Sequence, residues 1–209
     1  HFFTTLSARI ASLQSEGQDV IRLDEGSPDL PPATHIVQAL VESVNRPDVH
    51  GYQAHRGPFE LRQAWAAMYK RLYNVDLNPD NEIVPLMGSK EGIYQLIQAL
   101  VNPGDVVLVP DPGYITYSRG ALIAGGEPVP FPLKPENGYL PDLASLPVTI
   151  AGKAKMLWLN YPNNPTTGVA TLEFFASAVD FARQNHILLC HDAAYSQITF
   201  DGQPAPSIL

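Results

Sequence analysis

Residues 160–168 read Asn-Tyr-Pro-Asn-Asn-Pro-Thr-Thr-Gly, and residues 191–195 read His-Asp-Ala-Ala-Tyr. Each segment directly follows a short run of apolar residues, Met156 to Leu159 in the first case and Ile187 to Cys190 in the second. Such runs are typical of buried strands, so both segments are predicted to lie where strands of an α/β sheet end. Sheets of this kind bind ligands at the carboxyl ends of their strands. The two segments are therefore the first place to look for a binding site.

Outward from these segments, apolar runs and amphipathic stretches alternate along the chain. This alternation predicts an α/β fold with a mostly parallel sheet and helices on both of its faces. Strands are expected at 20–23, 83–87, 106–109, 129–131, 156–159 and 187–190. Helices are expected near 5–16, 33–45, from 58 to about 72, through 93–100, near 113–124 and over 171–184.

The composition limits the partners that this protein can have. The 209 residues carry a formal net charge of −8, which argues against nucleic acid or an anionic membrane as partner, because both require a basic face. No apolar run approaches the length of a membrane span. The single cysteine, Cys190, excludes a disulfide framework and is typical of a reducing compartment, so a cytoplasmic location is expected.

Gly88, Ser89 and Lys90 form a candidate phosphate site between a predicted strand and the following helix. The Ser89 hydroxyl can cap the helix, and the free N–H groups of its first turn attract an anion. Lys90 adds a full positive charge, and Gly88 allows close approach of the backbone. The alternative is an ordinary capped helix with a solvated lysine. The nucleotide-binding spacing G-x-x-x-x-G-K-[ST] does not occur.

Four further residues could bind a pyridine ring that carries a phenolic oxygen. Tyr114 could stack on such a ring, although a lone tyrosine is more often a packing residue. Asn164 could donate to the phenolic oxygen, although Asn-Pro is also a common start of a turn. Asp192 could keep the ring nitrogen protonated, with a helix cap or loop salt bridge as the alternative, and Tyr195 would reach the same oxygen as Asn164.

Two other kinds of site find little support in the sequence. His191 has no second metal ligand at a useful spacing, and no H-E-x-x-H motif occurs, so no metal is expected. A serine hydrolase is disfavoured because the sequence has no G-x-S-x-G elbow.

Several motifs in register resemble the class I/II aminotransferases, the fold-type-I, aspartate-aminotransferase-like group of pyridoxal phosphate enzymes. The resemblance extends from about Leu23 onward and is greatest to the subgroup that includes LL-diaminopimelate aminotransferases. The motifs are Gly-Ser-Lys-Glu-Gly at 88–92, Asn-Pro-Gly-Asp at 102–105, Asp-Pro-Gly-Tyr at 111–114, and the segments 161–167 and 191–195.

The resemblance implies a role for each candidate residue toward pyridoxal 5′-phosphate. Ser89 and Lys90 would hold the phosphate, and Tyr114 would stack on the pyridine ring. Asn164 and Tyr195 would bond the phenolic oxygen, and Asp192 the ring nitrogen. The usual Asn-Pro-Thr-Gly of this family carries one extra threonine here.

The resemblance also implies partners. Tyr52 resembles the tyrosine that reaches the phosphate of the neighbouring subunit, which implies a homodimer with shared active sites. Gly26 resembles the glycine near the substrate carboxylate, although Asp24 and Glu25 replace the small residues that are common before it. The implied substrates are an amino acid and a 2-oxo acid.

By the same resemblance, residues 1–31 would form the N-terminal arm and part of the small domain, and residues 32–209 the large, cofactor-binding domain. The Schiff-base lysine is expected beyond Leu209, so residues 1–209 alone are expected to be inactive, with no catalytic residue among them. Three alternatives stay open. These are a β-lyase or decarboxylase of the same fold, a non-enzymatic pyridoxal-phosphate-binding regulatory domain, and a generic nucleotide-binding α/β domain.

Overall fold

The computed structural model describes residues 2–24, 26, 29–200, 202 and 204–209. The chain divides into two compact units, His1–Tyr52 and Gln53–Leu209. The first unit contains helices α1 (Phe2–Ser15) and α2 (Thr34–Val44). The predicted domain boundary between residues 31 and 32 stays a prediction.

The second unit alternates helices and strands in the order that the sequence predicts. Helices α3 (Phe59–Tyr73) and α4 (Ser89–Leu100) precede the first strand. The remaining elements are β1 (Val106–Asp111), α5 (Thr116–Ile123), β2 (Glu127–Pro132), α6 (Val148–Ala151), β3 (Ala154–Asn160), α7 (Leu172–Gln184) and β4 (Leu188–Asp192), with short 3-10 turns at Pro135–Asn137 and Leu143–Ser145.

The four strands form one parallel sheet with the strand order β2-β1-β3-β4. The central strands are buried along most of their length, as expected of parallel strands covered on both sides. Because all four strands run the same way, their carboxyl ends lie along a single edge of the sheet. The predicted fold class, α/β with a mostly parallel sheet, is confirmed.

Helices cover both faces of the sheet, which confirms the second part of that prediction. On one face, α7 contributes Phe175, Ala178 and Ala182 to a core that also contains Leu108 and Leu157. On the other face, α4 and α5 pack over a second core. Its buried members are Ile93, Ile97, Val101, Val107, Val109, Tyr117, Ala121, Met156, Trp158 and Cys190.

Two of the strand predictions are wrong. Residues 20–23 and 83–87 are irregular in the structure. The first run is largely exposed, with Leu23 92% accessible. The second run contains Pro85, which has no N–H to give to a sheet, and its Met87 is 92% accessible. Apolar composition alone does not make a strand where no neighbouring strand pairs with it.

Strand β2 contains Pro128, Pro130 and Pro132 at alternate positions. The backbone N–H groups of Glu127 and Leu133 point toward β1, donating to Asp105 and Asp111. Because successive residues of a strand face opposite sides, the three prolines occupy the positions that face away from β1. Proline is tolerated there because those positions need no donor for the existing ladder.

Candidate functional site

The ends of β3 and β4 are held together by backbone and side-chain hydrogen bonds. Asn160, the last residue of β3, lies in register with Asp192, the last residue of β4. The Tyr161 N–H donates to the Asp192 carbonyl oxygen at 3.2 Å. The two segments that the sequence singled out therefore begin side by side at the carboxyl edge of the sheet.

The Asp192 carboxylate has a buried phenol as its hydrogen-bond donor. The Tyr117 hydroxyl, on α5, donates to Asp192 Oδ2 at 2.8 Å. Tyr117 is fully buried and its ring stacks on Trp158, with 5.0 Å between the ring centroids and 11° between the planes. Burial, and then the negative charge of Asp192, raises the pKa of Tyr117 well above its ordinary value. The phenol therefore stays protonated and acts as a donor.

Asn160 braces the ends of the two strands through its side-chain amide. Its Nδ2 donates to the carbonyl oxygen of Asp192 at 2.9 Å, and its Oδ1 accepts from the backbone N–H of Asn164 at 2.8 Å. The side chain is 2% exposed, so both hydrogen bonds are shielded from water. Asn160 thus links the residue predicted to face a ring nitrogen with the one predicted to face a phenolic oxygen.

Asn164 and Tyr195 meet at this edge, as the sequence predicts. Asn164 Nδ2 lies 3.4 Å from the Tyr195 hydroxyl, a long hydrogen bond. Tyr195 is 37% exposed and lines an open cleft. The pair places an amide and a phenol where both could donate to one ligand oxygen.

The turn that carries Asn164 is organised around the buried side chain of Asn163. Asn163 Oδ1 accepts from the Thr166 backbone N–H at 3.2 Å and from Thr166 Oγ1 at 2.8 Å. The backbone N–H of Thr167 donates to the Asn163 carbonyl, and that of Asn163 donates to the Gly168 carbonyl, both at 2.8 Å. Thr167, the extra threonine, has a φ of 63°, a left-handed conformation that is unfavourable for a β-branched residue.

At the opposite end of the candidate site, α4 begins differently from the expectation. Gly88 is the N-cap residue, with a φ of 98°, and Ser89 is the first helical residue, so the predicted cap by the Ser89 hydroxyl is wrong. The carboxylate of Glu91 instead accepts from the Met87 N–H at 2.8 Å. The N–H groups of Ser89 and Lys90 have no acceptor within the described part of the chain. They can therefore bind an anion.

Aromatic contacts connect this helix start to Asp192. Lys90 Nζ lies 5.8 Å from the centre of the Tyr114 ring. Tyr114 makes an edge-to-face contact with Tyr117, with ring centroids 5.7 Å apart, and Tyr117 bonds Asp192. Lys90, Tyr114 and Asp192 therefore belong to one continuous cluster.

Two open clefts are lined by four of the predicted site residues. A cleft of about 800 Å³ is lined by Ser89, Trp158, Asp192, Ala193 and Ala194, among others. A second cleft of about 700 Å³ is lined by Asn164 and Tyr195 among others. The six predicted site residues of the second unit are thus brought to one edge of the sheet. They combine donors for an anion, a carboxylate and two donors for a single oxygen.

The other predicted site residues lie in the first unit. Tyr52 is fully exposed, and Gly26 is exposed with open space where a Cβ would stand. Their predicted roles stay predictions.

His191 and Cys190, beside Asp192, are held in the core. The His191 Nε2–H donates to the Tyr161 carbonyl oxygen at 3.0 Å, and the ring packs on Phe175 with 4.7 Å between centroids. Burial lowers the pKa of His191 and raises that of the Cys190 thiol to about 12. Neither has the surroundings of a metal ligand, and no group of three or more potential metal ligands occurs among the described residues.

Tyr117 and Asn160 were not among the site residues predicted from the sequence. Asn160 could have been noticed, because a polar residue that ends a buried strand needs a partner. Tyr117 was harder to recognise as a site residue, because in the sequence it is only an aromatic residue of a predicted helix, three positions after Tyr114. Among the described residues, no helix is both long and apolar enough to cross a membrane.

The sequence matches a family described as aminotransferase class I and II over residues 18–209. An LL-diaminopimelate aminotransferase from Moorella thermoacetica is 48% identical to this chain, in an alignment that covers 100% of this chain and 54% of that protein. Another LL-diaminopimelate aminotransferase, from Desulforudis audaxviator, is 50% identical to this chain, in an alignment that covers 100% of this chain and 53% of that protein. The chain thus spans about half the length of these curated relatives.

Solved structures show the same likeness. Substrate-bound BacF from Bacillus subtilis superposes with a TM-score of 0.92 at 44% identity, covering 100% of this chain and 53% of that one. A probable N-succinyldiaminopimelate aminotransferase from Thermus thermophilus superposes with a TM-score of 0.92 at 34% identity, covering 100% of this chain and 56% of that one.

Proposed function

This chain belongs to the class I and II aminotransferase family, and we propose on that basis that it forms the cofactor-binding part of a pyridoxal-phosphate-dependent aminotransferase. The observation that carries the proposal is the Asp192 carboxylate, presented at the end of β4 beside Asn164 and Tyr195 and oriented by Tyr117. A carboxylate at this place is what a protonated pyridine nitrogen requires. Members of the family depend on pyridoxal 5′-phosphate.

The donors and acceptors of the site fit the cofactor group by group. Its phosphate is a dianion, and the free N–H groups of Ser89 and Lys90, with the Lys90 ammonium, are suited to bind it. Its phenolic oxygen accepts hydrogen bonds, which Asn164 Nδ2 and the Tyr195 hydroxyl can donate. Each of these polar groups of the cofactor therefore has groups of complementary chemistry at the site.

When bound, pyridoxal phosphate supplies a ring that withdraws electrons from the amino acid carbon bearing the amino group. Asp192 holds a proton on the ring nitrogen and so strengthens that withdrawal. Tyr195 and Asn164 hold the phenolic oxygen and set its basicity. Tyr114 packs against the ring, and the start of α4 fixes the phosphate, so that the ring keeps one orientation.

The proposed reaction moves an amino group between an amino acid and a 2-oxo acid. Gly26 is proposed to lie near the substrate carboxylate. We also propose a homodimer in which Tyr52 reaches the phosphate of the neighbouring subunit, a division into an arm of residues 1–31 and a large domain of residues 32–209, and a cytoplasmic location. The comparisons do not favour a lyase, decarboxylase or regulatory domain.

Substitution of Asp192 tests the proposal. In the full-length protein, Asp192→Ala is expected to release the cofactor on dialysis and to lower amino-group transfer at least a hundredfold. The measurements are cofactor stoichiometry from the absorbance spectrum and transfer from an amino acid to a 2-oxo acid.

Asp111→Ala is the matched control for this experiment. Asp111 is an exposed carboxylate at the end of β1, which β3 separates from β4, and its loss should leave cofactor retention unchanged. Wild-type retention and turnover in Asp192→Ala would refute the role of Asp192. Failure of the wild-type protein to bind the cofactor would refute the proposed function.

A further inference from the structure

We propose that Tyr117 is a positioning residue that reserves one oxygen of Asp192 for the ring nitrogen of the cofactor. The inference rests on the proposed function and adds to it a residue that the family motifs quoted above do not include. Tyr117 acts through Asp192 and is not expected to touch the reacting atoms.

The two oxygens of Asp192 have different surroundings. Oδ2 accepts the hydrogen bond from the Tyr117 hydroxyl at 2.8 Å, whereas Oδ1 accepts no hydrogen bond from any residue that the structure describes. With Oδ2 held by Tyr117, Oδ1 remains available to accept a hydrogen bond from a ligand. The hydrogen bond also prevents the carboxylate from rotating freely about its Cβ–Cγ bond.

The phenol that makes this bond is itself held on two sides. Its ring stacks on Trp158 at 5.0 Å between centroids, and Tyr114 meets it edge-on at 5.7 Å. Tyr117 is 0% exposed, so water does not compete for its hydroxyl. Aromatic pairs of this geometry add to the stability of a buried cluster, and the donor is therefore fixed before any ligand arrives.

The chemical type of the donor also matters. A lysine or arginine in this place would neutralise the negative charge of Asp192 and weaken its attraction for a ring N–H⁺. A protonated phenol orients the carboxylate and leaves its full charge available. The hydroxyl remains protonated because burial disfavours the phenolate.

The contrasting interpretation is that Tyr117 only fills space on the sheet face covered by α4 and α5. A phenylalanine would fill nearly the same space and keep both ring contacts. The two interpretations therefore differ only in what the hydroxyl does to Asp192, and the experiment must isolate that effect.

Binding of two ligands to the full-length protein isolates it. The ligands are pyridoxal phosphate and its analogue in which carbon replaces the ring nitrogen, so the ratio of their dissociation constants reports the ring-nitrogen contact. The wild-type protein is expected to prefer pyridoxal phosphate. Tyr117→Phe should reduce that preference about tenfold, since a hydrogen bond to a charged group has an effect of this size.

Tyr161→Phe is the matched control. Tyr161 is 2% exposed, and its hydroxyl donates to the backbone carbonyl of Tyr139 at 2.8 Å, in the core on the opposite face of the sheet. Tyr161→Phe also removes a phenolic oxygen from a buried site, but one that does not contact the Asp192 carboxylate. Its preference for pyridoxal phosphate over the carbon analogue should therefore equal that of the wild type. Partial unfolding would weaken both ligands by the same factor, so the ratio remains interpretable in every variant.

The outcomes separate the two claims. A wild-type protein that binds neither ligand would refute the proposed function. A wild-type protein that binds both ligands equally would refute the ring-nitrogen role of Asp192, and with it the role of Tyr117. A wild-type preference that survives intact in Tyr117→Phe would leave Asp192 in its role and overturn the role of Tyr117. An equal loss of preference in Tyr161→Phe would also overturn it, because the effect would then not depend on the bond to Asp192.

Discussion

The two ends of the candidate site are built in opposite ways. Around Asp192, the polar groups are buried and already bonded to one another, through Tyr117 and Asn160. At the start of α4, Ser89 and Lys90 are exposed, and their backbone N–H groups lack acceptors among the described residues. The first end is ordered by the fold itself, whereas the second holds its donors free for an anion.

This difference predicts different consequences of mutation at the two ends. Changes at the Asp192 end should destabilise the protein even without cofactor, because they leave buried groups unpaired. Changes at the α4 end should weaken ligand binding and leave the fold almost unaffected. Four experiments, in order of decreasing effect, test this contrast.

Asn160→Ala is expected to have the largest effect. It removes one of the two hydrogen bonds to the Asp192 carbonyl, leaves the Asn164 N–H without its acceptor, and opens a small cavity. We expect the free energy of unfolding to fall by about 3 kcal/mol, measured by urea denaturation without cofactor.

The control for Asn160 is Asn185→Ala. The Asn185 side chain makes a local hydrogen bond to Phe181 at the end of α7, and its removal should lower the free energy of unfolding by less than about 1 kcal/mol. Equal losses in the two variants would show that Asn160 is not a special brace.

Lys90→Gln tests the other end. The substitution removes the positive charge near the proposed phosphate position and should weaken pyridoxal phosphate binding about tenfold at low salt. The free energy of unfolding should change by less than about 0.5 kcal/mol, because the side chain is exposed.

Salt provides a second measurement on the same variant. The wild-type affinity should fall as the ionic strength rises, and the affinity of Lys90→Gln should fall less steeply. Lys153→Gln, at an exposed lysine before the amino end of β3, should behave as the wild type does. A large loss of stability in Lys90→Gln would erase the contrast between the two ends.

Thr167→Asn should stabilise the protein. Thr167 has a left-handed backbone at φ 63°, which asparagine adopts more readily than a β-branched residue. A gain of about 1 kcal/mol in the free energy of unfolding is expected. Thr166→Asn should have the opposite sign, because it removes the hydroxyl that donates to Asn163. A loss of stability in Thr167→Asn would mean that the threonine makes a contact worth more than the strain.

The smallest expected effect concerns pH. Burial lowers the pKa of His191 below its ordinary value, so below about pH 6.5 the unfolded chain binds a proton that the folded protein does not. His191 should therefore lower the free energy of unfolding as the pH falls through this range. Between pH 7 and 5.5, the free energy of unfolding of His191→Gln should therefore fall by about 0.5 kcal/mol less than that of the wild type. Identical pH dependences would show that His191 is not held neutral.

Sequence patterns predicted the parts of the site that depend on local order. Asp192 ends β4, Asn164 and Tyr195 come shortly after the ends of β3 and β4, and an apolar run shows where a buried strand ends. The roles of Asn160 and Tyr117 depend on the register of β3 against β4 and on how α5 packs. These are contacts between residues 32 and 75 positions apart in the sequence. No local pattern contains that information.

The wrong predictions have equally physical causes. The run at 83–87 is as apolar as a strand, but composition does not reveal whether a neighbour will pair with it. The helix start was misplaced by one residue, because serine and glycine are both good N-caps and the choice between them depends on tertiary context. The first N–H groups of a helix have no intrahelical acceptors, and Gly88 at the cap has no side-chain oxygen to accept from them.

The three prolines of β2 make the two edges of the sheet unequal in their ability to pair with a further strand. An outer edge with proline at each outward position has no N–H groups with which to recruit another strand, from this molecule or from a neighbour. The edge at β4 carries no proline. The prolines therefore disfavour the addition of a strand at the β2 edge and leave the β4 edge, which ends at Asp192, as the more favourable place for one.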